Sequence, residues 1–550
     1  MYLVMFETHG NQRYVFASPR LKENIGASYL LTLLEPWVRS TSQHERIPIL
    51  DVSVSSGKVI VAVDSEKDAH SLVNAVTRKI LETAPGVDVT GVFTPMISVH
   101  VTKEDLENVH AASARHALMR PPTSARFCST PFLEPGRDTL LPAVPSRVGS
   151  PSGEVYSLPG TVARAQASKA REYLLGLAST HPYLSERSEE LLPDPDALEK
   201  ALDSLSKVAV IHLDGNGVGA MVRGLADRLR SIPVSIFQEQ IKCDASDADA
   251  LRLSLLKLNK RLDNVMKDAF CDAWAAVADL AIQEGIDVVP VVPVILGGDD
   301  ATVITDGAFA IPFAVAFLEA FEERTGADPF ISSLSDDGKM TAGAGVAVVR
   351  HNFPFHLAYD LAERLASTAK TAGKRMDESC STLSYHILYD STVLDPEELL
   401  ASYTPFTSEA ETAQSVPAMT SRPYRILARK ELSIPLPPPT MNESWDAMRL
   451  RAAWFAGILS APGASIPMRF PKSRAARIRK ILSDAVHLSG REQRSHLAKA
   501  RSEWDDARSQ RDLKLLVDAI GSERLMFDLI DLVEILPRTY LAASAPEELS

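Results

Sequence analysis

The stretch Val208-Ala-Val-Ile-His-Leu-Asp214-Gly-Asn-Gly-Val-Gly219 and the later segment Leu296-Gly-Gly-Asp-Asp300 decide the fold of this chain. Each is an apolar run that ends in acidic residues beside a glycine-rich break. Runs with little alternation are typical of strands that are buried on both faces, and glycine permits the tight turns that follow. The two segments therefore predict neighbouring strands that bring Asp214, Asp299 and Asp300 to one edge of a sheet.

Three carboxylates at one place would repel each other, and divalent cations relieve that repulsion. Mg²⁺ prefers carboxylates combined with substrate phosphate oxygens, and a pair of metals can activate a 3′-hydroxyl and hold a triphosphate. We therefore predict that Asp214, Asp299 and Asp300 are catalytic residues and ligands of Mg²⁺ or Mn²⁺. Asp299 and Asp300 are expected on an exposed turn.

Glycines and lysines near these carboxylates predict contacts to a nucleoside triphosphate. Backbone amides beside glycines can face phosphate groups, and a lysine ammonium binds phosphate as a point charge. The expected nucleotide-binding residues are Gly215, Asn216, Gly217, Val218, Gly297, Gly298, Lys370 and Lys374.

Structural roles for the same residues stay open at this point. Gly297-Gly-Asp-Asp300 is also a good hairpin turn, Asp214 is also a suitable helix N-cap, and the lysines are compatible with a solvated surface. Gly215-Asn-Gly217-Val-Gly-Ala220 matches the dinucleotide fingerprint. The dinucleotide-binding fold requires an acidic residue at a strand end about 20 residues later, and this chain has no clear one there.

The elements predicted around these segments recur in two parts of the chain. Residues 1–118 and 206–425 are both predicted as strand, helix, hairpin, helix and strand, which is the ferredoxin-like order. In the first part Arg13–Ala17 is predicted as a strand and Lys22–Trp37 as one helix. Further along the chain, Ala250–Gln283 and Leu513–Leu536 are each predicted as helices. The predicted tip Ser55-Ser-Gly-Lys58 in the first part falls where Gly297-Gly-Asp-Asp300 falls in the second. We infer an internal duplication whose first copy lost its acidic pair; independent similarity of two mixed α/β units is the alternative.

The remaining segments are predicted to be connecting or helical. Eight prolines lie between positions 121 and 160, so residues 119–205 are interpreted as a proline-rich linker followed by helices. After Pro435-Leu-Pro-Pro-Pro439, apolar residues at three- and four-residue spacing predict a C-terminal helical domain over residues 440–550. The expected fold class is α+β, with two ferredoxin-like domains, further helical segments and a C-terminal helical bundle.

Composition and charge restrict the class of protein. The chain has 550 residues, enough for three or four domains. Its formal net charge of −13 argues against general coating of nucleic acid but allows a local basic groove. No uncharged apolar run reaches the roughly 20 residues that span a membrane, and the four cysteines form no Cys-x-x-Cys pair. We therefore expect a cytoplasmic protein with reduced thiols, without a signal peptide or membrane anchor.

Several stretches resemble the polymerase/cyclase large subunit of type III CRISPR effector complexes. The resemblance covers roughly residues 1–105 and 206–425. Besides the acidic segments, it is carried by Thr341-Ala-Gly-Ala-Gly-Val-Ala-Val-Val-Arg-His-Asn-Phe-Pro354, Phe355-His-Leu-Ala-Tyr-Asp-Leu-Ala-Glu363, Ala369-Lys370, Arg13-Tyr-Val-Phe-Ala-Ser18, Leu21-Lys-Glu-Asn-Ile-Gly-Ala-Ser28 and Ala84-Pro-Gly-Val-Asp-Val89.

This resemblance implies that the two mixed domains are palms of the nucleotide cyclase and GGDEF type, and that only the second is catalytic. Family members join ATP units through 3′–5′ bonds into cyclic oligoadenylate messengers that act in antiviral defence. The resemblance thus implies ATP as substrate, Asp214, Asp299 and Asp300 as metal ligands, and RNA or crRNA-effector subunits as partners. The palms would pair within one chain or in a homodimer.

The chain also departs from the family pattern. It contains no His-Asp dipeptide and no four-cysteine module, so neither the HD nuclease nor the zinc module of some members is expected. A stand-alone relative with a different trigger is therefore an alternative to a subunit of a crRNA-guided complex. Two other functions remain: a catalytically silent scaffold that binds RNA or proteins, and a GGDEF-like diguanylate cyclase. Asp300 and Ala301 disagree with the glutamate and aromatic residue of the latter.

A basic cluster marks the C-terminal helices. It consists of Lys472, Arg474, Arg477, Arg479 and Lys480. Such a cluster predicts either a contact with RNA or phosphate or a solvated helix face, and we favour the latter. Trp445 and Trp454 precede it in an apolar helix and are expected in the core.

Overall fold

The computed structural model describes most of the chain. The described residues are 1–121, 123–127, 130–144, 155–376, 379–389, 419–427, 434–440, 442–486, 488 and 490–544. Part of the predicted proline-rich linker, Cys128 and the portion of the second predicted domain at 390–418 lie outside the described residues.

The N-terminal part contains a four-stranded sheet formed by β1 (Tyr2–His9), β2 (Leu50–Ser55), β3 (Lys58–Val63) and β4 (Asp88–Pro95). The strand order is β2-β3-β1-β4, and every neighbouring pair is antiparallel. This is the ferredoxin-like arrangement that the sequence predicts. The accompanying helices are α1 (Asn11–Val15), α2 (Leu21–Thr32), α3 (Leu34–Glu45), α4 (Glu66–Thr83) and α5 (Lys103–Met119).

Two predicted elements of this part are wrong. Arg13–Ala17 was expected as a strand, but Gly10 has a φ of 59° and starts the helix α1 instead. The ring of Phe16, just after α1, stacks on Tyr359 at 5.0 Å, so long-range packing outweighs a β-compatible sequence. The single helix expected over Lys22–Trp37 is two helices, because Pro36 lacks an N–H and fits only the first turn of a new helix.

The second sheet has six strands in the order β10-β9-β8-β5-β7-β6. Within it, β6-β7-β5-β8 repeats the antiparallel order β2-β3-β1-β4 of the first sheet, which supports the inferred duplication. A parallel strand, β9, and a short antiparallel strand, β10, extend the edge. The strands are β5 (Val208–Gly215), β6 (Val291–Gly297), β7 (Asp300–Asp306), β8 (Ala342–Val349), β9 (Ser381–Ile387) and β10 (Tyr424–Ile426).

Helices cover both faces of this second sheet. Ile211 and Leu213 share a core with residues of the helices α12 and α13, whereas Val208 and Val210 share a core with residues of α2, α6 and α15. Burial on both faces explains why β5 lacks apolar–polar alternation. The helices from residue 158 onward are α6 (Leu158–Ala178), α7 (Pro182–Ser185), α8 (Ser188–Leu191), α9 (Pro195–Asp203), α10 (Val218–Arg228), α11 (Val234–Ile241), α12 (Ala250–Gln283), α13 (Ala310–Ala327), α14 (Pro329–Leu334) and α15 (Phe355–Gly373).

The C-terminal part is helical, as predicted, and its residues belong to the same apolar core as one face of the second sheet. Its helices are Trp445–Phe455, Lys472–Val486, Gly490–Ser509, Lys514–Ile520, Met526–Ile535 and Arg538–Ala542. The helix expected over Leu513–Leu536 is interrupted at Gly521, whose φ is 95°. Trp445 and Trp454 are 2% exposed and therefore lie in the core.

Two further observations concern anchors and thiols. In the described part of the chain, no helix combines the length and the apolar character that crossing a membrane requires. Among the described residues, Cys243, Cys271 and Cys380 form no disulfide bond.

Candidate metal and nucleotide site

The ends of β5 and β7 bring the predicted acidic residues together. Asp214 on β5 lies directly opposite Asp300, the first residue of β7, and Asp299 lies in the two-residue turn between β6 and β7. The Gly215 N–H donates a hydrogen bond to the Asp299 carbonyl oxygen at 2.9 Å. This bond ties the glycine-rich loop after β5 to the tip of the hairpin.

Burial and mutual repulsion perturb two of these carboxyl groups. Burial, with the neighbouring charges of Asp299 and Asp214, raises the pKa of Asp300 to about 7. Burial and the charge of Asp214 also raise the pKa of Asp299. The sequence led us to expect both residues on an exposed turn. That expectation is wrong, because both carboxyl groups are largely buried. A cluster of this kind favours protons or cations.

Lys370 supplies a positive charge to this cluster. Its Nζ donates to Asp214 Oδ2 and, at 3.2 Å, to the Gly215 carbonyl oxygen. Helix α15 can bring it there because Gly343 on β8 has no side chain; a Cβ at that position would lie 2.4 Å from Lys370 Cγ. Lys374 is exposed just beyond the end of α15. The structure thus brings Lys370, and not Lys374, into contact with the carboxylates.

The loop after β5 leaves backbone and side-chain groups available to a ligand. Gly217, with a φ of 78°, is the N-cap of α10, and no side chain caps that helix, so the alternative of Asp214 as the N-cap is wrong. The uncapped amides at the start of α10 can face an anion. Asn216 Nδ2 donates to Thr341 Oγ1 at 2.8 Å, while the buried Asn216 Oδ1 has no hydrogen-bond partner within the described part of the chain.

The hairpin tip requires both of its glycines. Gly297 has a φ of 148° and Gly298 a φ of 70°, and side chains other than glycine rarely adopt such values. A Cβ on Gly297 would also lie 3.1 Å from the Cβ of Ser56. Ser56 is at the tip of the β2–β3 hairpin, so the hairpin tips of the two sheets meet within one chain.

Sequence reasoning missed His212. It precedes Asp214 by two residues, so both side chains project from the same face of β5. One ring nitrogen of His212 and one carboxylate oxygen each of Asp214 and Asp300 lie within 4.8 Å of one another. Burial lowers the pKa of His212 to about 4, so its ring is neutral near pH 7. The signal was a single polar residue in an otherwise apolar strand, in register with the acidic residue at its end.

A cavity of about 780 Å³ lies beside α15. Its lining includes His9 at the end of β1, Arg13 on α1, and Tyr359 and Glu363 on α15. The Tyr359 and His212 ring centroids are 5.5 Å apart, which places this wall of the cavity next to the strand that carries Asp214. The volume is within the range of small-molecule sites.

The basic cluster of the C-terminal helices is largely engaged inside the protein. Arg474 donates to the Glu503 carbonyl oxygen at 2.9 Å, and Arg477 pairs with the Glu503 carboxylate at 3.1 Å. Arg479 pairs with the buried Asp531 at 2.9 Å. Lys472 and Lys480 are exposed. The three arginines therefore contact neighbouring helices, so only part of the cluster is the solvated helix face that we favoured.

Comparison with known families gives a match that includes this site. Residues 207–377 match the model of the second palm domain of Cas10/Cmr2. The matched segment contains β5 through β8, α15, the three aspartates and Lys370. The resemblance to the CRISPR large subunit is thereby confirmed for residues 207–377, which are similar to the second palm domain of Cas10/Cmr2.

Three solved structures are similar to this chain at low sequence identity. A Csm1–Csm4 cassette in complex with cA4 is 12% identical, with a TM-score of 0.48 and coverage of 97% of this chain and 70% of that chain. Csm1 of T. onnurineus is 12% identical, with a TM-score of 0.47 and coverage of 99% and 70%. A Csm1–Csm4 cassette in complex with AMPPNP is 11% identical, with a TM-score of 0.46 and coverage of 99% and 70%. Comparison with curated protein sequences gives no match.

Proposed function

We propose that this chain, with its Cas10/Cmr2-type second palm, is a metal-dependent nucleotidyltransferase that makes a cyclic oligonucleotide messenger from ATP. The observation that carries the proposal is the convergence of Asp214, Asp299 and Asp300, with Lys370, at one edge of the second sheet. A purely structural hairpin turn would not need two largely buried carboxyl groups with raised pKa values.

The residues present fit a divalent metal. The pKa values of Asp299 and Asp300 are raised although Lys370 lies nearby, so a divalent cation would relieve the remaining repulsion. Asn216, two residues after Asp214, carries a side-chain oxygen without a hydrogen-bond partner among the described residues and adds a further oxygen donor. Asp214, Asp299 and Asp300 would hold Mg²⁺ or Mn²⁺. When bound, such an ion lowers the pKa of a coordinated hydroxyl and neutralises charge on phosphate oxygens.

The protein's own groups would position the nucleotide. The uncapped amides at the start of α10, a helix that begins four residues after Asp214, and the backbone at Gly297 and Gly298, which precede Asp299, would bind phosphate oxygens. Lys370 now neutralises Asp214; with a cation on Asp214, its ammonium would be free to contact a phosphate of ATP. The cavity lined by Tyr359 and Arg13 offers room for a nucleoside next to this cluster.

The proposal is tested by incubating purified protein with Mg²⁺ or Mn²⁺ and each nucleoside triphosphate, with and without RNA, and resolving the products by mass spectrometry. We expect cyclic products from ATP. The double variant Asp299→Ala/Asp300→Ala should abolish them, while Asp336→Ala/Asp337→Ala should not. The latter pair removes two adjacent aspartates from an exposed loop and controls for the charge change.

The other outcomes separate the alternatives. Turnover of GTP alone would identify a diguanylate-cyclase-like enzyme instead. ATP binding without turnover under any condition, together with a fixed set of co-purifying proteins or RNA, would support a silent scaffold subunit. Products that appear only when target RNA and partner subunits are added would place the chain in an RNA-guided complex and identify its trigger.

A further inference from the structure

His212 is a nitrogen donor at the edge of a set of oxygen donors. Its strand register places it opposite Thr302 on β7 and Gly345 on β8, two positions before the Asp214–Asp300 pair on the same face of the sheet. A ring nitrogen of His212 lies within 4.8 Å of an oxygen of Asp214 and of Asp300. A single ion could therefore contact all three side chains after small adjustments.

The ring is held in place and retains one uncommitted nitrogen. His212 is 5% exposed, and its ring meets the Tyr359 ring edge-on, with centroids 5.5 Å apart. Nδ1 lies 3.2 Å from Thr302 Oγ1. Nε2 has no hydrogen-bond partner among the described residues. Metal-binding histidines coordinate through one ring nitrogen while a second residue holds the other nitrogen in place.

We infer that His212, Asp214 and Asp300 form a mixed nitrogen and oxygen site that binds Mn²⁺ or Co²⁺ in preference to Mg²⁺. The inference rests on the proposed function, since it concerns one metal of the same site. Affinity for a site with nitrogen and oxygen ligands rises from Mn²⁺ to Co²⁺ along the first transition row, whereas Mg²⁺ binds through oxygen ligands. A buried histidine that only fills space would need neither the adjacent carboxylates nor a free nitrogen.

The direct test is electron spin echo spectroscopy of Mn²⁺ bound to the full-length protein. A coordinated imidazole gives a ¹⁴N modulation, and labelling the protein with [¹⁵N]histidine should replace it by the ¹⁵N pattern. The modulation should disappear in His212→Gln and persist in His386→Gln. His386 is a matched control, because it is also buried, at 3% exposed, and lies on the neighbouring part of the sheet.

A second readout is metal selectivity. Mn²⁺ binding is titrated by loss of the free-ion spectrum, with Mg²⁺ as competitor, and the ratio of the two dissociation constants is compared between proteins. His212→Gln should reduce the preference for Mn²⁺ by at least about tenfold, and His386→Gln should not. Circular dichroism verifies that both variants are folded; should His212→Gln unfold, the isotope experiment on the wild-type protein decides.

The outcomes distinguish this inference from the proposed function. Bound Mn²⁺ without any histidine nitrogen coupling overturns the inference, and leaves the function standing if ATP is still turned over. A ¹⁴N modulation of bound Mn²⁺ that disappears in His212→Gln supports the site even if no nucleotide product forms. In that case only the proposed function fails.

Discussion

The two sheets have the same strand order and the same hairpin at the same place, yet the residue pairs beside the two hairpins differ in charge. In the first sheet, Glu7 on β1 lies opposite Lys58, the first residue of β3. In the second, Asp214 on β5 lies opposite Asp300, the first residue of β7. The Thr8 N–H also donates to the Gly57 carbonyl oxygen at 2.8 Å, matching the bond between Gly215 and Asp299. The backbone is therefore repeated, while the side chains are not.

The side chains decide which sheet can hold a cation. Lys58 Nζ lies 2.8 Å from Glu7 Oε1. Burial alone would raise the pKa of Glu7, but the hydrogen bond and charge of Lys58 lower it overall. At Asp300, burial and two neighbouring carboxylates raise the pKa to about 7. The first pair is neutralised within the protein, whereas the second calls for an external positive charge.

The largest expected effect comes from giving the second sheet the pair found in the first. Asp300→Lys places an ammonium opposite Asp214, where a metal would otherwise bind. ATP turnover should fall by about 10³-fold or more, which corresponds to roughly 4 kcal/mol of transition-state stabilisation. The melting temperature should not fall, because the new lysine relieves carboxylate repulsion. Product formation and thermal denaturation measure the two effects.

The matched control for that change is Asp336→Lys. It makes the same charge reversal on an exposed loop, where Asp336 pairs with Arg228 at 3.2 Å, and turnover should persist. Turnover by Asp300→Lys within tenfold of the wild-type rate would show that the acidic pair does not carry the chemistry.

A smaller loss of turnover is expected from removing the lysine ammonium that contacts the carboxylates of the second sheet. Lys370→Met deletes the ammonium that contacts Asp214 and Gly215 but keeps the apolar stem. Turnover should fall by about 10²-fold, as for the loss of one charge-stabilising donor. Lys374→Met should have a weaker effect, because Lys374 is exposed beyond the end of α15. Equal losses in steady-state kinetics would show that both lysines bind the nucleotide.

Much of the second sheet was accessible from the sequence, because local signals and the final fold agree there. The strand that reaches Leu213 and the long helix Ala250–Gln283 were predicted close to their observed bounds. The turn at Gly297 and Gly298, at the end of β6, was also predicted. The convergence of Asp214 with Asp300 followed from the repeated topology. The predicted palm-type fold class was confirmed. It was predictable because a repeated element order constrains how the strands pair.

The missing parts depend on contacts between segments that are far apart. Phe16 packs on Tyr359, and no local pattern around residue 16 reveals that partner, so α1 was misassigned. The role of His212 depends on a register shared with Asp300, some 90 positions away. The meeting of Ser56 with Gly297 depends on how two sheets dock. Short-range periodicity contains none of this information.

Opposite changes in stability should distinguish the two pairs in metal-free protein. Asp300→Asn should stabilise by about 2 kcal/mol near pH 8. Because the folded-state pKa of Asp300 is raised, ionisation is penalised as the pH rises from about 4 to 7, and the gain from Asn grows over that window. Denaturant unfolding at pH 5 and pH 8 measures this, and an equal gain at both values would contradict the assignment.

The same experiment on the first sheet should give the reverse sign. Glu7→Gln removes the partner of Lys58 and should destabilise by about 1 kcal/mol or less, since the pair is partly solvated. The pKa of Glu7 is lowered in the folded state, so this cost is present at neutral pH and disappears as the pH falls below the carboxyl range. A stabilising Glu7→Gln would show that the two pairs are electrostatically alike.

The smallest expected effect on turnover concerns the contact between the tips of the two hairpins. Ser56→Tyr adds a ring where Ser56 approaches Gly297 and should separate the first hairpin from the second. If the first sheet positions the nucleotide on the second, turnover should fall by about tenfold, while the affinity for Mn²⁺ stays the same because no ligand has changed. Ser71→Tyr, which makes the same change on an exposed face of α4, is the control and should keep its rate. An unchanged rate in Ser56→Tyr would mean that the second palm works without its repeat, and the first sheet would then be a structural neighbour only.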